Sequence, residues 1–169
     1  MDFQKHTLVV LVADKPGILN RVASLFRRRG FNIDSIAVGH AEQPNLSRMT
    51  IVVGGAEGTV EQVRKQLAKL VDVVRISDIT YEPVVTRELA LIKVKATAAS
   101  RSEIIQIVDI FRANIVDVAA DSLTVEVTGD GDKLDSLVNL LRGFGIKELS
   151  RTGCIALTRG ATSGATSEE

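Results

Sequence analysis

"TLVVLVADKPGILNRVASLFRRRG", Thr7 to Gly30, contains one change of period, and that change decides the fold. Thr7 to Asp14 is a short Val/Leu-rich run and reads as a buried strand. From Ile18 the period lengthens. Leu19, Val22, Ala23 and Phe26 recur at three and four, with Ile18 and Leu25 widening the stripe, so a helix is predicted from about Gly17 to Arg29. Arg27, Arg28 and Arg29 close it and Gly30 follows. Cations complement the carbonyl end of the helix dipole, and glycine takes the left-handed conformation that ends a helix. The arginine triplet reads as a solvated helix end in preference to a phosphate site. Between strand and helix lies Lys15-Pro16-Gly17. A Pro-Gly seam is either a plain turn or a place where bare backbone N–H groups face a small anion.

Downstream, strands are predicted over Asn32–His40 and Ser47–Val53, around the loop Ala41–Asn45 with its turn-formers Pro44 and Asn45. A helix follows over Thr59–Leu70, with Val60, Val63, Leu67 and Leu70 on one face, then a strand over Val71–Thr80. The order β-α-β-β-α-β within about 75 residues is the split βαβ pattern of the ferredoxin-like superfold.

The order then repeats. Glu88–Ala96 reads as a strand. Ser100-Arg101-Ser102-Glu103 has capping-box spacing, which places Ser100 as the cap of a helix to Arg112. Ile115–Ala119 and Leu123–Val127 read as a hairpin. Leu134, Leu137, Leu141 and Phe144 form a helical stripe, and Ile146–Thr158 reads as a closing strand with a bulge near Gly153. Leu134, Leu137 and Leu141 superpose on Val60, Val63 and Leu67 at an offset of 74 residues. The expected architecture is α+β, with two ferredoxin-like βαββαβ modules joined near Tyr81–Arg87, where Pro83 interrupts regular structure. The domains are placed at 1–82 and 83–159, with 160–169, small, polar and repetitive, as a disordered tail.

Composition removes several function classes. Lys plus Arg and Asp plus Glu are both 21, so nothing draws the chain to nucleic acid or to an anionic membrane. Aromatics are 4% with no Trp, which leaves no base-stacking platform. No apolar run is long enough for a membrane span. The lone Cys154 reads as a small buried hydrophobe and fits a reducing cytoplasm. His6 and His40 are far from it in sequence, and no metal-ligand, P-loop, dinucleotide or nucleophile-elbow spacing occurs. No catalytic residue and no metal site is predicted.

The seam has its own chemistry. A helix opening at Gly17 presents N–H groups without intrahelical partners at the positive end of its dipole. Glycine admits close approach, and Pro16 gives up an N–H the helix does not use. Asp14, at the strand end, supplies a carboxylate that can hold an ammonium group. A carboxylate receiver a few residues from an ammonium receiver suits a free α-amino acid. Taken alone, Asp-x-Pro-Gly is more often only a turn.

Three strings carry a resemblance: "PGILNRV" at the helix start, "RRGFNIDS" after it, and "NLSRMTIVV" from Asn45 with "KLVDVVRI" from Lys69. It continues through "RELALIKVKA" to "GCIALTRG" and covers nearly everything before the tail. On these residues the chain resembles the small regulatory subunits of acetohydroxyacid (acetolactate) synthase, which begin with an ACT domain. The resemblance implies an ACT domain over 1–82 that forms a homodimer and binds valine or another branched-chain amino acid between protomers. It implies a role without catalysis in branched-chain amino acid biosynthesis: binding, activating and conferring valine inhibition on a separate catalytic subunit. Thiamine diphosphate, Mg and FAD belong to that partner, and no cofactor to this chain. The family's effector positions fall on Asp14, Gly17, Ile18 and Leu19 of one protomer and on Asn32 and Ile33 of the other. Many relatives carry Asn where this chain has Asp14. The alternatives are a free-standing ACT-type sensor controlling transcription or transport and, lowest, a small ferredoxin-like enzyme.

Overall fold

A computed structural model describes residues 4–160, the side chains at 57 and 59 excepted. The tail at 161–169, expected as disordered, lies outside the described residues. The chain divides into two compact units. One holds the residues up to Val85 together with those from Cys154 onward; the other is Thr86–Gly153.

The first unit runs β1 (Gln4–Ala13), α1 (Ile18–Arg29), β2 (Ile33–His40), β3 (Leu46–Gly55), α2 (Glu57–Leu67) and β4 (Val73–Asp78). Its four strands order as β2-β3-β1-β4, all antiparallel, as the split βαβ pattern demands. β1 and β3 pair in unbroken register from Gln4↔Gly55 to Ala13↔Leu46. Alternate residues of β1 (Leu8, Val10, Val12) and of β3 (Met49, Ile51, Val53) meet Val22, Leu25 and Phe26 of α1 and Val60, Val63 and Leu67 of α2 in one buried cluster. The α1 stripe is rotated from the predicted one. Ile18, Val22, Leu25 and Phe26 are buried, while Leu19 is 48% exposed and Ala23 also faces out. The helix ends as its residues dictate. Gly30, at φ 69°, donates its N–H to Arg27 O (3.2 Å), and Phe31 donates to Phe26 O (3.1 Å), a Schellman closure.

β5 (Val84–Lys95) begins directly after Pro83, so the expected linker is already strand from Val84. The second unit continues with α3 (Arg101–Ile110), β6 (Asn114–Val118), β7 (Ser122–Gly129), α4 (Gly131–Arg142) and β8 (Ile146–Arg151). Its strand order, β6-β7-β5-β8, repeats that of the first unit. Ala90, Ile92 and Val94 of β5 pack with Ile104, Val108, Leu134, Leu137 and Leu141. Two ferredoxin-like modules are therefore present.

The predicted closing strand is not continuous. The irregularity expected near Gly153 is a full break: Gly153, at φ 86°, ends the extended run, and β9 (Ile155–Thr158) follows as a separate strand grouped with the first unit. Ala156 packs with Val9, Ile79 and Val84 on the side of β1 turned away from the helices. Cys154 is half-buried instead of fully buried, and its N–H donates to Ser35 Oγ at 2.9 Å.

The cap of α3 also departs from expectation. Ser100 makes no side-chain cap to the helix that follows it. Ser100 N–H donates to Thr97 Oγ1 (3.2 Å), and Thr97 N–H donates to Ser100 Oγ (2.9 Å). With Arg101 N–H on Thr97 O (3.0 Å), this is a reciprocal cap one turn earlier, with Thr97 as the capping residue.

Candidate functional site

The seam at the end of β1 is held by two backbone bonds and two carboxylates. Ala13 donates its N–H to Asp72 O (2.8 Å), and Asp14 donates to Asn45 O (2.8 Å). The Asp72 carboxylate, only 11% exposed, holds Lys15 Nζ at 3.4 Å and also takes the Arg21 guanidinium from the first turn of α1. The Asp14 carboxylate, 45% exposed, accepts from Ser47 Oγ at 3.2 Å and stands 3.3 Å from His40 Nδ1.

Gly17 caps α1 in the left-handed conformation, φ 85°, with no side chain bonded to the helix start and no acidic residue in the first turn. A methyl placed on Gly17 meets nothing within 4 Å, so the space above it is open. Ile18 N–H makes a long bond to Lys15 O (3.4 Å), its side chain is buried in the core, and Leu19 is exposed beside it. The uncapped helix start at Gly17 therefore lies between Lys15 and Arg21 in the chain, and Asp72 holds both of those cations. That combination can receive a carboxylate.

The predicted site residues separate into two groups. Asp14, Gly17, Ile18 and Leu19 are contiguous at one end of the first sheet. Asn32 is exposed and donates from Nδ2 to Asp34 Oδ1 (2.9 Å); Ile33 lies half-buried against the core. Ile33 pairs with Val53, and Val53 pairs with His6. The β2 pair therefore stands level with the start of β1, about seven residues from the seam, or roughly 23 Å at 3.3 Å per residue. One chain does not bring the two groups together.

Sequence reasoning missed Ser47, His40 and Asp72. The first two follow from register: Val12 pairs with Ser47 and Ser47 with His40, a row that ends beside Asp14. A hairpin count across the Ala41–Asn45 loop gives that row. Asp72 has no local signal, because it reaches the seam only through β4 lying next to β1. Among the described residues no cluster of His, Cys, Asp and Glu could hold a metal, and no helix is long and apolar enough to cross a membrane.

Comparison with known proteins covers both units. Residues 8–75 match the family model described as the AHAS small subunit-like ACT domain, and residues 87–160 match that of the small subunit of acetolactate synthase. The chain is 57% identical over 156 residues to a protein of Archaeoglobus fulgidus named "Probable acetolactate synthase small subunit", covering 92% of this chain and 98% of that one. It is 54% identical over 160 residues to the acetolactate synthase small subunit of Mycobacterium bovis, 95% of each chain being covered. The crystal structure of the small subunit from Thermotoga maritima superposes with a TM-score of 0.86 at 44% identity, over 93% of this chain and 98% of that one. With both units matched and identity above one half, the chain belongs to the family of acetolactate synthase small subunits and carries that family's ACT domain.

Proposed function

We propose that this chain acts as the non-catalytic regulatory subunit of acetolactate synthase in the cytoplasm. In this reading it binds and activates a separate catalytic subunit, which carries thiamine diphosphate, Mg and FAD. It transmits inhibition by valine, bound between the ACT domains of a homodimer. The observation that carries the subunit reading is the family match over both units. The effector reading is supported by the open, uncapped start of α1 at Gly17, beside two cations that Asp72 holds in place.

The chemistry runs as follows. The guest carboxylate meets the N–H groups at Gly17 and Leu19, and that of Ile18 in exchange for its long bond to Lys15 O. Asp14 and Asn32 of the other protomer take the ammonium and nearby polar atoms, and Ile33 encloses the side chain. Burying a valine side chain contributes roughly 1.5–3 kcal/mol. Each charge-assisted hydrogen bond adds about 1.5–3 kcal/mol before the entropy of association. The net corresponds to micromolar to millimolar affinity, about −8 to −4 kcal/mol, the range that follows a metabolite pool. Inhibition requires valine to prefer one arrangement of the complex, and the catalytic subunit must then shift valine affinity by the same factor.

The test is reconstitution. The purified chain is mixed with the catalytic subunit, and acetolactate formation is followed with and without valine, leucine and isoleucine. Activation reversed by one of them is the expected result. A chain that changes neither rate nor inhibition would overturn the reading.

A further inference from the structure

In the first unit a groove of about 470 Å³ opens between the C-terminal ends of α1 and α2. Half-buried Leu70 and the edge of Leu25, otherwise buried in the core, form its apolar floor, and Arg28, Arg29, Lys69 and Gln66 supply its polar lining. No carboxylate lines it, and among the described residues none pairs with Arg28, Arg29 or Lys69.

Backbone N–H groups, and not these cations, close both helix ends. In α1 the N–H groups of Gly30 and Phe31 take the carbonyls of Arg27 and Phe26. In α2 those of Ala68, Lys69 and Leu70 take the carbonyls of Arg64, Gln66 and Leu67. Two helix ends contribute roughly −0.5 charge each, against three full positive charges, so the groove keeps a net charge of about +2. In a chain whose overall charge is zero, that excess is a local feature.

We propose that this groove is the docking surface for an acidic segment of the catalytic subunit, an Asp/Glu-rich stretch that sets one apolar side chain against Leu70 on the groove floor. The inference rests on the regulatory-subunit reading. The leucines favour a protein segment over a free anion, and the absence of any aromatic ring in the lining leaves a nucleotide base nothing to stack on. The exposed cations steer the encounter, so association weakens as salt rises.

The experiment compares the full chain with Arg28→Glu/Lys69→Glu, and with Arg142→Glu, an exposed cation on α4, as the control. The folds are matched by circular dichroism before use. The concentration that half-activates the purified catalytic subunit is measured at low and moderate salt. The expected result is a rise of tenfold or more for the double variant, a loss of most of the salt dependence, and no change for the control. A half-activating concentration within twofold of wild type would overturn the proposal. So would calorimetric binding of ATP or inorganic phosphate that the double variant abolishes while activation is unchanged. A wild-type chain that fails to activate would overturn the subunit reading and this inference with it.

Discussion

Ile33 and Asp14 stand at opposite ends of one four-stranded sheet: Ile33 is level with His6 across β3, and Asp14 follows the far end of β1. If both are effector positions, as the proposed function has it, a single chain supplies only half of each site. Two copies related by a two-fold axis supply two complete ones. This predicts complementation. Gly17→Asp places a carboxylate against the guest's own, in space that is open and in a conformation aspartate tolerates better than most residues. Asn32→Trp fills the other half from an exposed position. Each variant alone is expected to bind no valine by calorimetry. Co-expressed in equal amounts, they form mixed dimers with one intact site, and about a quarter of the wild-type capacity returns. No recovery would place the site within one chain.

Asp14 has two partners in its own chain, Ser47 Oγ and His40 Nδ1. Its carboxylate is therefore either only a brace or a brace that also receives the ammonium group. Asp14→Asn keeps an acceptor for Ser47 and removes the charge. Loss of a charge-assisted bond of about 1.5 kcal/mol or more corresponds to a valine affinity at least about tenfold weaker, with thermal stability little changed. Unchanged affinity by calorimetry would assign the carboxylate to bracing alone.

Thr97 and Ser100 satisfy each other's N–H groups at the start of α3, whereas Gly17 leaves α1 without a side-chain cap. Thr97→Ala removes one arm of the closed cap and is expected to cost the second unit about 1 kcal/mol. Denaturant unfolding measures the cost, and valine affinity is expected to stay at the wild-type value. Ser100→Ala, which removes the other arm, should cost a comparable amount.

The Asp121 carboxyl is held below its ordinary value of 3.8, first by the hydrogen bond from Lys147 Nζ at 2.5 Å and then by the charge on that lysine. A carboxylate whose folded value is lowered stabilises the fold above its unfolded value, and that contribution is lost as pH falls through the folded value. Here the window opens below about pH 3.8. The Asp121 carbon resonance should titrate below that value in the native protein. In Lys147→Met its midpoint should move back towards the ordinary one, and an unmoved midpoint would remove Lys147 as the cause.

The architecture could be read from the sequence wherever period and punctuation agreed. The change of period after Asp14, the Gly30 stop and the repeated leucines at 134, 137 and 141 each fix an element from local residues. Failures came where a competing local choice or a distant contact decided. Ser100-x-x-Glu103 satisfies a spacing rule, but Thr97-x-x-Ser100 satisfies it one turn earlier and ties both N–H groups. Leu19 keeps helical spacing, yet the buried arc centres on Ile18, Val22 and Leu25, because the arc is set by where the sheet lies. At the seam, Asp14 and Gly17 are legible from their own chemistry. Asp72 is not, since 58 residues separate it from Asp14 and only the position of β4 beside β1 brings it there.

The two units also end their first helices with the same bonds on different residues. In the first, Gly30 takes the left-handed position at φ 69°; in the second, Arg112 takes it at φ 51°. Arg112 N–H reaches Asp109 O and Ala113 N–H reaches Val108 O, both at 3.0 Å, as Gly30 and Phe31 do in α1. A side chain at positive φ sets Cβ against the backbone, a strain glycine does not carry. Arg112→Gly is therefore expected to stabilise the second unit by about 0.5–1 kcal/mol, after allowing for the extra freedom glycine gains in the unfolded chain. The reciprocal change, Gly30→Ala, should destabilise the first unit by a similar amount. A Cβ there meets nothing within 4 Å, which leaves conformational strain as the sole cost. Denaturant midpoints for the two variants should move in opposite directions. Movement in the same direction would show that the closing bonds, and not the residue at the turn, set the stability of these helix ends.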